Sequence, residues 1–575
     1  MKEKNKWING LLIHLALILL ASILFAASFP NPLIKDGFPF LAWFMYIPVL
    51  LVINKSKLPV CAIWGAVYGF TAYCLFNYWL GTFHPLAGTI TYSIYLIYMV
   101  IVFVLMKLAV ILYPKHGYLV QWLIWLSYEY LRTKGFLGYS YGITGYSQWQ
   151  IIPIIQIAGL TGVWGVSALV TFPSFWLAEN AKEIIGKFLS RRRGDAEIAE
   201  EKKGIVLRKI PLFFSASSAP LRLGEKFSGI IWLTALVAAL VFGFINMKDY
   251  SEYPTAQIAL IQHNTDPWAA SRAPTSWQIT ESYRKDLVNL MRLSNEALES
   301  NPKPQLVVWP ETAFVPRIYW HTTYRDDQNS WSIVRELLEY LSEQDVPFLI
   351  GNDDARMDSA INPDPAKKHR VDYNAAMLFE NGINTRTYRK LHLVPFTEHF
   401  PYRRQFPRFY DWLEKADTHF WEKGNEETVF SGPGFTFSAP ICFEDTFGYL
   451  SRNFVKGGAD VLVNLSNDAW SNSLSAQKQH LTMAVFRAVE NNRSMARSTT
   501  SGQTCAIDPN GRIISQAPAF TETWLNAAVP IVLGSKFTIY TLYGDYLAVF
   551  ITVLAVALLL LKAIWYTITK LKRER

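Results

Sequence analysis

Eight apolar runs, each near the length needed to cross about 30 Å of hydrocarbon, dominate this sequence. They lie at 8–28, 38–54, 58–80, 90–113, 117–132, 153–178, 228–246 and 545–566, the second and fifth being the shortest. Such a segment must satisfy its own backbone hydrogen bonds in lipid, so each is expected as an α-helix. Between the seventh and eighth runs lies a stretch of mixed polarity, roughly 295 residues long and the size of one large domain. Composition fits this mixture. Of 575 residues 51 % are hydrophobic and 18 % charged, too apolar for disorder, yet a mean hydropathy of +0.13 is low for a chain wholly in lipid. Lys2, Lys4 and Lys6 precede the first run and Ala26-Ala27 follow it, as in a signal peptide. The run's length and its many successors favour an uncleaved anchor.

The net charge of +9 would suggest nucleic acid in a soluble protein, but its placement argues against that partner. Lys55 and Lys57, Lys115, the stretch from Arg191 to Lys209, and Lys570, Lys572, Arg573 and Arg575 all fall on the side of Lys2 if eight spans alternate. That is the positive-inside pattern. Both termini are therefore expected in the cytoplasm, with the large domain facing outward. Three units follow: residues 1–248 with seven helices and a basic loop at 180–227, residues 250–544, and a closing helix with a basic tail at 545–575. Glu129 and Arg132, one turn apart near the outer end of the fifth run, form either an ion pair or a substrate contact.

From residue 256 the pattern changes to short β-rich runs, at 256–262, 306–309, 347–351, 374–379, 384–388, 436–441 and 459–465. Asn381-Gly382 between two of them signals a hairpin. Helical periodicity appears at 280–299, 332–343 and 477–491, which makes the outward domain α/β. Of four cysteines, Cys61 and Cys74 read as small buried apolar residues, whereas Cys442 and Cys505 fall where a disulfide is one option. Neither a CxxC nor a His-rich spacing is present, so no metal is expected.

Three segments carry chemistry, each at the end of a β-run, where α/β active sites collect. Glu311 follows Val307-Val308-Trp309-Pro310; Lys390 follows Tyr388-Arg389, with Glu398 eight residues on; Cys442 follows Pro440-Ile441 and precedes Phe443-Glu444-Asp445. Together they offer a base, a cation and a nucleophile.

With these motifs the sequence resembles the nitrilase superfamily, whose Glu-Lys-Cys triad would be Glu311, Lys390 and Cys442. Seven leading spans, an outward α/β domain and one closing span resemble the apolipoprotein N-acyltransferase family over essentially the whole chain. Leu465-Ser466-Asn467-Asp468-Ala469-Trp470 and the helix near His480 match family blocks; Phe443 stands where the family usually has tyrosine, and Ser471-Asn472 where it tends to have Phe-Gly.

The resemblance implies an α-β-β-α sandwich on a bacterial inner-membrane bundle, with its catalytic domain periplasmic. It implies transfer of an acyl chain from a phospholipid to the α-amino group of a diacylglyceryl-cysteine lipoprotein, by a ping-pong path through a thioester on Cys442. Glu311 would be the general base. Lys390 and the backbone N–H of Phe443 would stabilise the oxyanion. Glu398 would orient Lys390 or the amine, or else form a salt bridge to Arg403 or Arg404, and Glu444 would be a site wall or a hydrogen-bond partner. No cofactor is implied, and a monomer is expected.

Phe406, Phe409, Tyr410, Trp412, Phe420 and Trp421 form either an interfacial lid or an aromatic subcore. Trp268, Trp412 and Trp470 are candidates for substrate binding. Gly138-Tyr139-Ser140-Tyr141-Gly142 matches a serine-nucleophile string but lacks the strand and helix that would frame it; it reads as a tight loop near the substrate entrance. The triad alone leaves a membrane-tethered amidase or hydrolase open. A transporter or receptor would need polar residues at mid-membrane, and the spans hold few.

Overall fold

The computed structural model describes residues 2–83, 85–181, 223–266, 275–365, 367–415, 420–534 and 536–574; Trp268 and most of the expected basic loop lie outside them. Among the described residues five helices are long and apolar enough to cross a bilayer: Ile8–Ser28, Leu58–Phe76, Ala87–Leu112, Phe227–Asn246 and Tyr546–Thr569. The remaining three expected runs are shorter or broken. Residues 38–54 divide into a 3₁₀ turn, Pro39–Trp43, and a helix, Ile47–Lys55, each with proline in its first turn, where the missing N–H does no harm. Gly117–Leu131 is a 15-residue helix. The run at 153–178, expected as one span, instead makes two single turns, Ile152–Ile155 and Ala158–Thr161. Gly162 ends the second at φ 67, and a helix resumes over 163–181.

Within the bundle, helices Leu58–Phe76 and Pro85–Leu112 lie almost backbone to backbone. A Cβ on Gly65 would come within 2.9 Å of the Met99 carbonyl carbon, and one on Gly69 within 2.9 Å of the Met99 side chain. Two glycines four residues apart are the means by which helices in lipid, deprived of a hydrophobic drive to pack, gain close contact.

The α/β domain holds two six-stranded sheets. The first contains β1 (Thr255–Gln262), β2 (Leu306–Val308), β3 (Phe348–Met357), β4 (Arg370–Glu380), β5 (Ile383–Arg389) and β12 (Thr523–Pro530), in the order β12-β1-β2-β3-β4-β5. The second contains β6 (Val429–Gly432), β7 (Phe435–Ser438), β8 (Val461–Ser466), β9 (Ser494–Thr499), β10 (Cys505–Ile507) and β11 (Ile513–Gln516), in the order β11-β10-β9-β8-β7-β6. Both faces of each sheet are covered, so the inner strands β2 and β8 are largely apolar. Along β1, Ile258 and Leu260 join the core between the sheets, while Ala259 and Ile261 pack under helices Ser276–Leu298 and Gln328–Ser342. Helix Leu474–Asn491 covers the second sheet and is buried on nearly every side, because its outer face meets the membrane bundle. The layers are therefore α-β-β-α.

The expected hairpin forms. Asn381 and Gly382 both take positive φ, 50° and 76°, and join β4 to β5 in the twist that favours two-residue turns. Expectation omitted β6 and β9 to β12. In β9, Ser-Met-Ala-Arg-Ser-Thr is too polar to read as a core strand, yet it lies fully buried in the middle of a sheet. Its Ser498 hydroxyl bonds carbonyls of the other sheet, Ile261 at 2.9 Å and Val308 at 3.1 Å.

Candidate active site

Glu311, Lys390 and Cys442 come from three different strand ends. Glu311 follows β2, Lys390 follows β5, and Cys442 opens the 3₁₀ turn Cys442–Thr446 beyond β7. Lys390 is completely buried, and its ammonium donates to Glu311 Oε1 at 3.0 Å and Glu398 Oε1 at 2.9 Å. Burial opposes the lysine charge, but the two carboxylates overcome this and hold its pKa well above the ordinary value. An ammonium has three N–H donors, and two of them are engaged by these carboxylates.

Glu311 is held on both oxygens. Asn374 Nδ2 and Lys390 reach Oε1 at 2.8 and 3.0 Å, and the backbone N–H of Asn467 reaches Oε2 at 3.0 Å. Glu398 accepts from Lys390 and from Val394 N–H at 2.9 Å; among the described residues Arg403 and Arg404 make no ion pair with it. Burial, with Glu311 nearby, raises the Glu398 carboxyl pKa, partly offset by Lys390.

Cys442 sits at φ 49, the left-handed region that costs a non-glycine residue about 1–3 kcal/mol and tends to mark functional sites. Burial pushes its thiol pKa well up, Glu311 pushes further, and Lys390 offsets part of the rise. The resting sulfur is therefore a thiol that needs a base. Among the described cysteines all are free; Cys505 lies buried in β10, with no bridge to Cys442.

Glu444 ties the lysine and cysteine segments together. One carboxylate accepts the N–H groups of Leu391 at 2.7 Å, His392 at 2.9 Å and Ile441 at 2.8 Å, together with the Tyr388 hydroxyl at 2.8 Å. Tyr388, Leu391 and His392 flank Lys390, and Ile441 precedes Cys442. Beside the turn runs a largely buried cluster that sequence reasoning did not assemble. His480 Nε2 meets Asp445 Oδ1 at 2.6 Å and its Nδ1 meets Asp468 Oδ1 at 2.9 Å, while Arg497 pairs with Asp445. Burial disfavours the imidazolium, but the two carboxylates prevail and hold the His480 pKa at about 9. Its only sequence signal was a histidine beginning a helix after an Asn-Asp pair.

The remaining candidates scatter. The Phe443 ring lies 5.0 Å from that of Phe447 and 5.9 Å from the imidazole of His392, forming one wall. From the bundle, the loop with the serine-nucleophile string reaches the same wall. Tyr139 lies 6.5 Å from Phe443 and Tyr141 lies 6.2 Å from His480, ring to ring, while Ser140 is buried. Trp412 is on helix Pro407–Lys415, about half-exposed and stacked on Phe409 at 5.5 Å. Phe406 and Phe409 are exposed too, whereas Tyr410 packs on Phe420 and Trp421 donates to Asp353. The aromatic run thus divides between an exposed face and a packed one. Trp470 is half-buried in the turn Asp468–Ser471. Glu129 and Arg132 make no ion pair within 4.0 Å among the described residues. Instead Glu129 accepts from Trp125 and Thr144, and Arg132 donates to the Tyr95 hydroxyl and the Tyr141 carbonyl.

The chain is similar to known proteins along its length. A family model described as Apolipoprotein N-acyltransferase N-terminal domain matches residues 21–176, and one described as Carbon-nitrogen hydrolase matches 257–535. Apolipoprotein N-acyltransferase 1 of Treponema denticola is 42% identical over 563 residues, covering 96% of this chain and 96% of that protein. Apolipoprotein N-acyltransferase 1 of Treponema pallidum is 41% identical over 568 residues, covering 97% of this chain and 96% of that protein. Among solved structures, Saccharomyces cerevisiae Nit3, described as a member of branch 10 of the nitrilase superfamily, aligns with 50% of this chain and 93% of its own at 17% identity, with a TM-score of 0.34.

Proposed function

As the chain belongs to the apolipoprotein N-acyltransferase family, a family of membrane enzymes that N-acylate lipoproteins, we propose that Cys442, Glu311 and Lys390 carry the acyl transfer. The observation that carries this reading is the buried Lys390 bridging Glu311 and Glu398, with a left-handed Cys442 whose thiol feels the charges of both Glu311 and Lys390.

In the first half-reaction Glu311 takes the Cys442 proton as sulfur attacks an ester carbonyl of the phospholipid. The third N–H of Lys390 and the backbone N–H of Phe443 stabilise the oxyanion, a contribution of about 10²- to 10³-fold per donor. The ester C–O bond breaks, and the lysophospholipid oxygen leaves with the proton from Glu311. In the second, the lipoprotein α-amine attacks the thioester and gives a proton to Glu311. The C–S bond breaks, and the thiolate recovers that proton. Glu398 orients Lys390, and Glu444 keeps the lysine and cysteine segments in register. Trp412 and Trp470 are placed by this reading along the substrate path.

The apolar runs support eight spans, the charge pattern supports both termini on the cytoplasmic side with the catalytic domain opposite, and family membership supports the bacterial inner membrane with that domain periplasmic. The alternation of apolar and mixed-polarity stretches supports units at 1–248, 250–544 and 545–575. One chain supplies every proposed catalytic group, which supports a monomer.

The test is the intact mass of the purified protein after incubation with phospholipid. An acyl adduct that maps to Cys442, persists until a diacylglyceryl-cysteine peptide is added, and is missing in Cys442→Ala and Glu311→Gln supports the reading. Rapid release of free fatty acid without acceptor would identify a hydrolase instead.

A further inference from the structure

The cluster beside the Cys442 turn joins the two segments that bear on the proposed nucleophile and base. Asp445 belongs to the turn that Cys442 opens, Cys442–Thr446. Asp468 directly follows Asn467, whose backbone N–H holds Glu311 Oε2 at 3.0 Å. His480, on helix Leu474–Asn491, lies between them, with Nε2 2.6 Å from Asp445 Oδ1 and Nδ1 2.9 Å from Asp468 Oδ1. One ring therefore spans from the cysteine segment to the segment that grips Glu311, as Glu444 spans from the cysteine segment to the lysine.

The ring can do this in one protonation state. A neutral imidazole has one N–H and one lone pair, so one of the two carboxylates would face a lone pair within 3 Å. The imidazolium donates to both. Burial makes the difference costly: Asp445 and Arg497 have no exposed surface, and His480 is 2% exposed. Arg497, from β9, pairs with Asp445 and stands 3.7 Å from Asp468. Two carboxylates thus face two cations while the ring is protonated, and one negative charge is left unbalanced when it is not. The other neighbours are neutral. The Ser466 hydroxyl donates to Asp468 at 3.0 Å, and the Tyr141 ring of the bundle packs 6.2 Å from the imidazole. Gly502 leaves room for Asp468, whose Cβ would lie 2.8 Å from a Cβ added there. Asp468 also raises the Cys442 thiol pKa, so a cation beside Asp468 eases loss of the thiol proton.

We infer that His480 is a positioning residue for the acyl transfer: as an imidazolium it fixes the Cys442 turn against the Asn467 segment and so sets the nucleophile against Glu311. The inference rests on the triad proposed above. His480 acts through Asp445 and Asp468 rather than on the reacting atoms. When the ring loses its proton one carboxylate is released, the two segments part, and thioester formation slows.

The test is the single-turnover rate of thioester formation on Cys442, followed by intact mass for the full-length protein in detergent micelles containing phosphatidylglycerol. No acceptor is added, so titration of the attacking amine does not enter. Wild type is expected to lose rate as pH rises through about 9, where the ring titrates, to regain it on return to neutral pH, and to keep its KM for phospholipid. Lys390, held well above its ordinary pKa, does not supply that limb. His480→Gln is expected to be about 10²-fold slower at neutral pH and to lack the limb. Asp468→Asn removes one of the charges that keep the ring protonated and moves the limb down by at least about one pH unit; it and the wild-type profile decide the matter if His480→Gln does not fold. A flat wild-type profile through this range overturns the inference. So does a limb that persists in folded His480→Gln or that Asp468→Asn leaves in place. A wild-type rate in folded His480→Gln removes the positioning role and leaves the triad standing, whereas an adduct that still forms in Cys442→Ala removes the triad itself.

Discussion

Lys390 donates to Glu311 at 3.0 Å from a side chain with no exposed surface. One ammonium thereby pairs with a proposed base and, through Glu398 at 2.9 Å, with a second carboxylate. Removing the lysine leaves two buried carboxylates facing each other. Lys390→Ala is expected to lower transfer at least about 10²-fold and to destabilise the fold by about 3–5 kcal/mol, the usual cost of orphaning a buried charge. Turnover and thermal unfolding, measured on the same preparation, check both.

Glu311 has two opposed effects on Cys442. Its charge holds the thiol pKa up, yet in the proposed mechanism it accepts the thiol proton. Glu311→Gln is therefore expected to shift Cys442 alkylation by iodoacetamide to lower pH while lowering transfer about 10²- to 10⁴-fold. Reactivity and catalysis moving in opposite directions separates a base from a merely structural carboxylate. A parallel fall in both would count against the assigned role.

Gly351 on β3 lies directly beneath the Glu311 segment. An added Cβ would collide with the Pro310 carbonyl and approach Glu311 Cα to 2.8 Å. Gly351→Ala should cost about 1–3 kcal/mol of stability through overpacking and, by displacing the carboxylate, up to about 10²-fold in kcat. Unchanged kcat in a folded variant would show that Glu311 tolerates movement.

His480 should give stability a pH dependence. Its folded pKa is about 9 against an ordinary 6.5, so the stabilisation it shares with Asp445 and Asp468 is complete below pH 6.5 and is lost as pH rises through 9. The full effect is up to about 3 kcal/mol. Melting temperature should fall between these values in wild type and change less in His480→Gln, which keeps a hydrogen-bonding group without the charge.

Much of the site was legible because chemistry at strand ends is local. Glu311, Lys390 and Cys442 each stand out within a window of a few residues, and Asn381-Gly382 fixes its turn through the positive φ both residues accept. The partners of these groups were not legible. Asn374 and Asn467 are 63 and 156 residues from the Glu311 they hold, and although Asn467 lies in a block that resembles the family, nothing in either neighbourhood signals the pairing. The same is true of Arg497, whose polar strand reads as surface and lies at the centre of a sheet.

The sequence by itself determined that this chain lives in two solvents, since long apolar runs and a mixed-polarity stretch cannot share one. It also offered a thiol, a carboxylate and an ammonium at three strand ends as the proposed triad, because these are properties of single side chains. Only the tertiary structure decided which buried polar groups face one another. Glu129 and Arg132, one helical turn apart, part company for Thr144 and Tyr141. Glu444 joins segments some fifty residues apart. Hydrophobic periodicity is a local quantity, whereas a buried donor takes its acceptor from whichever element packing brings within 3 Å.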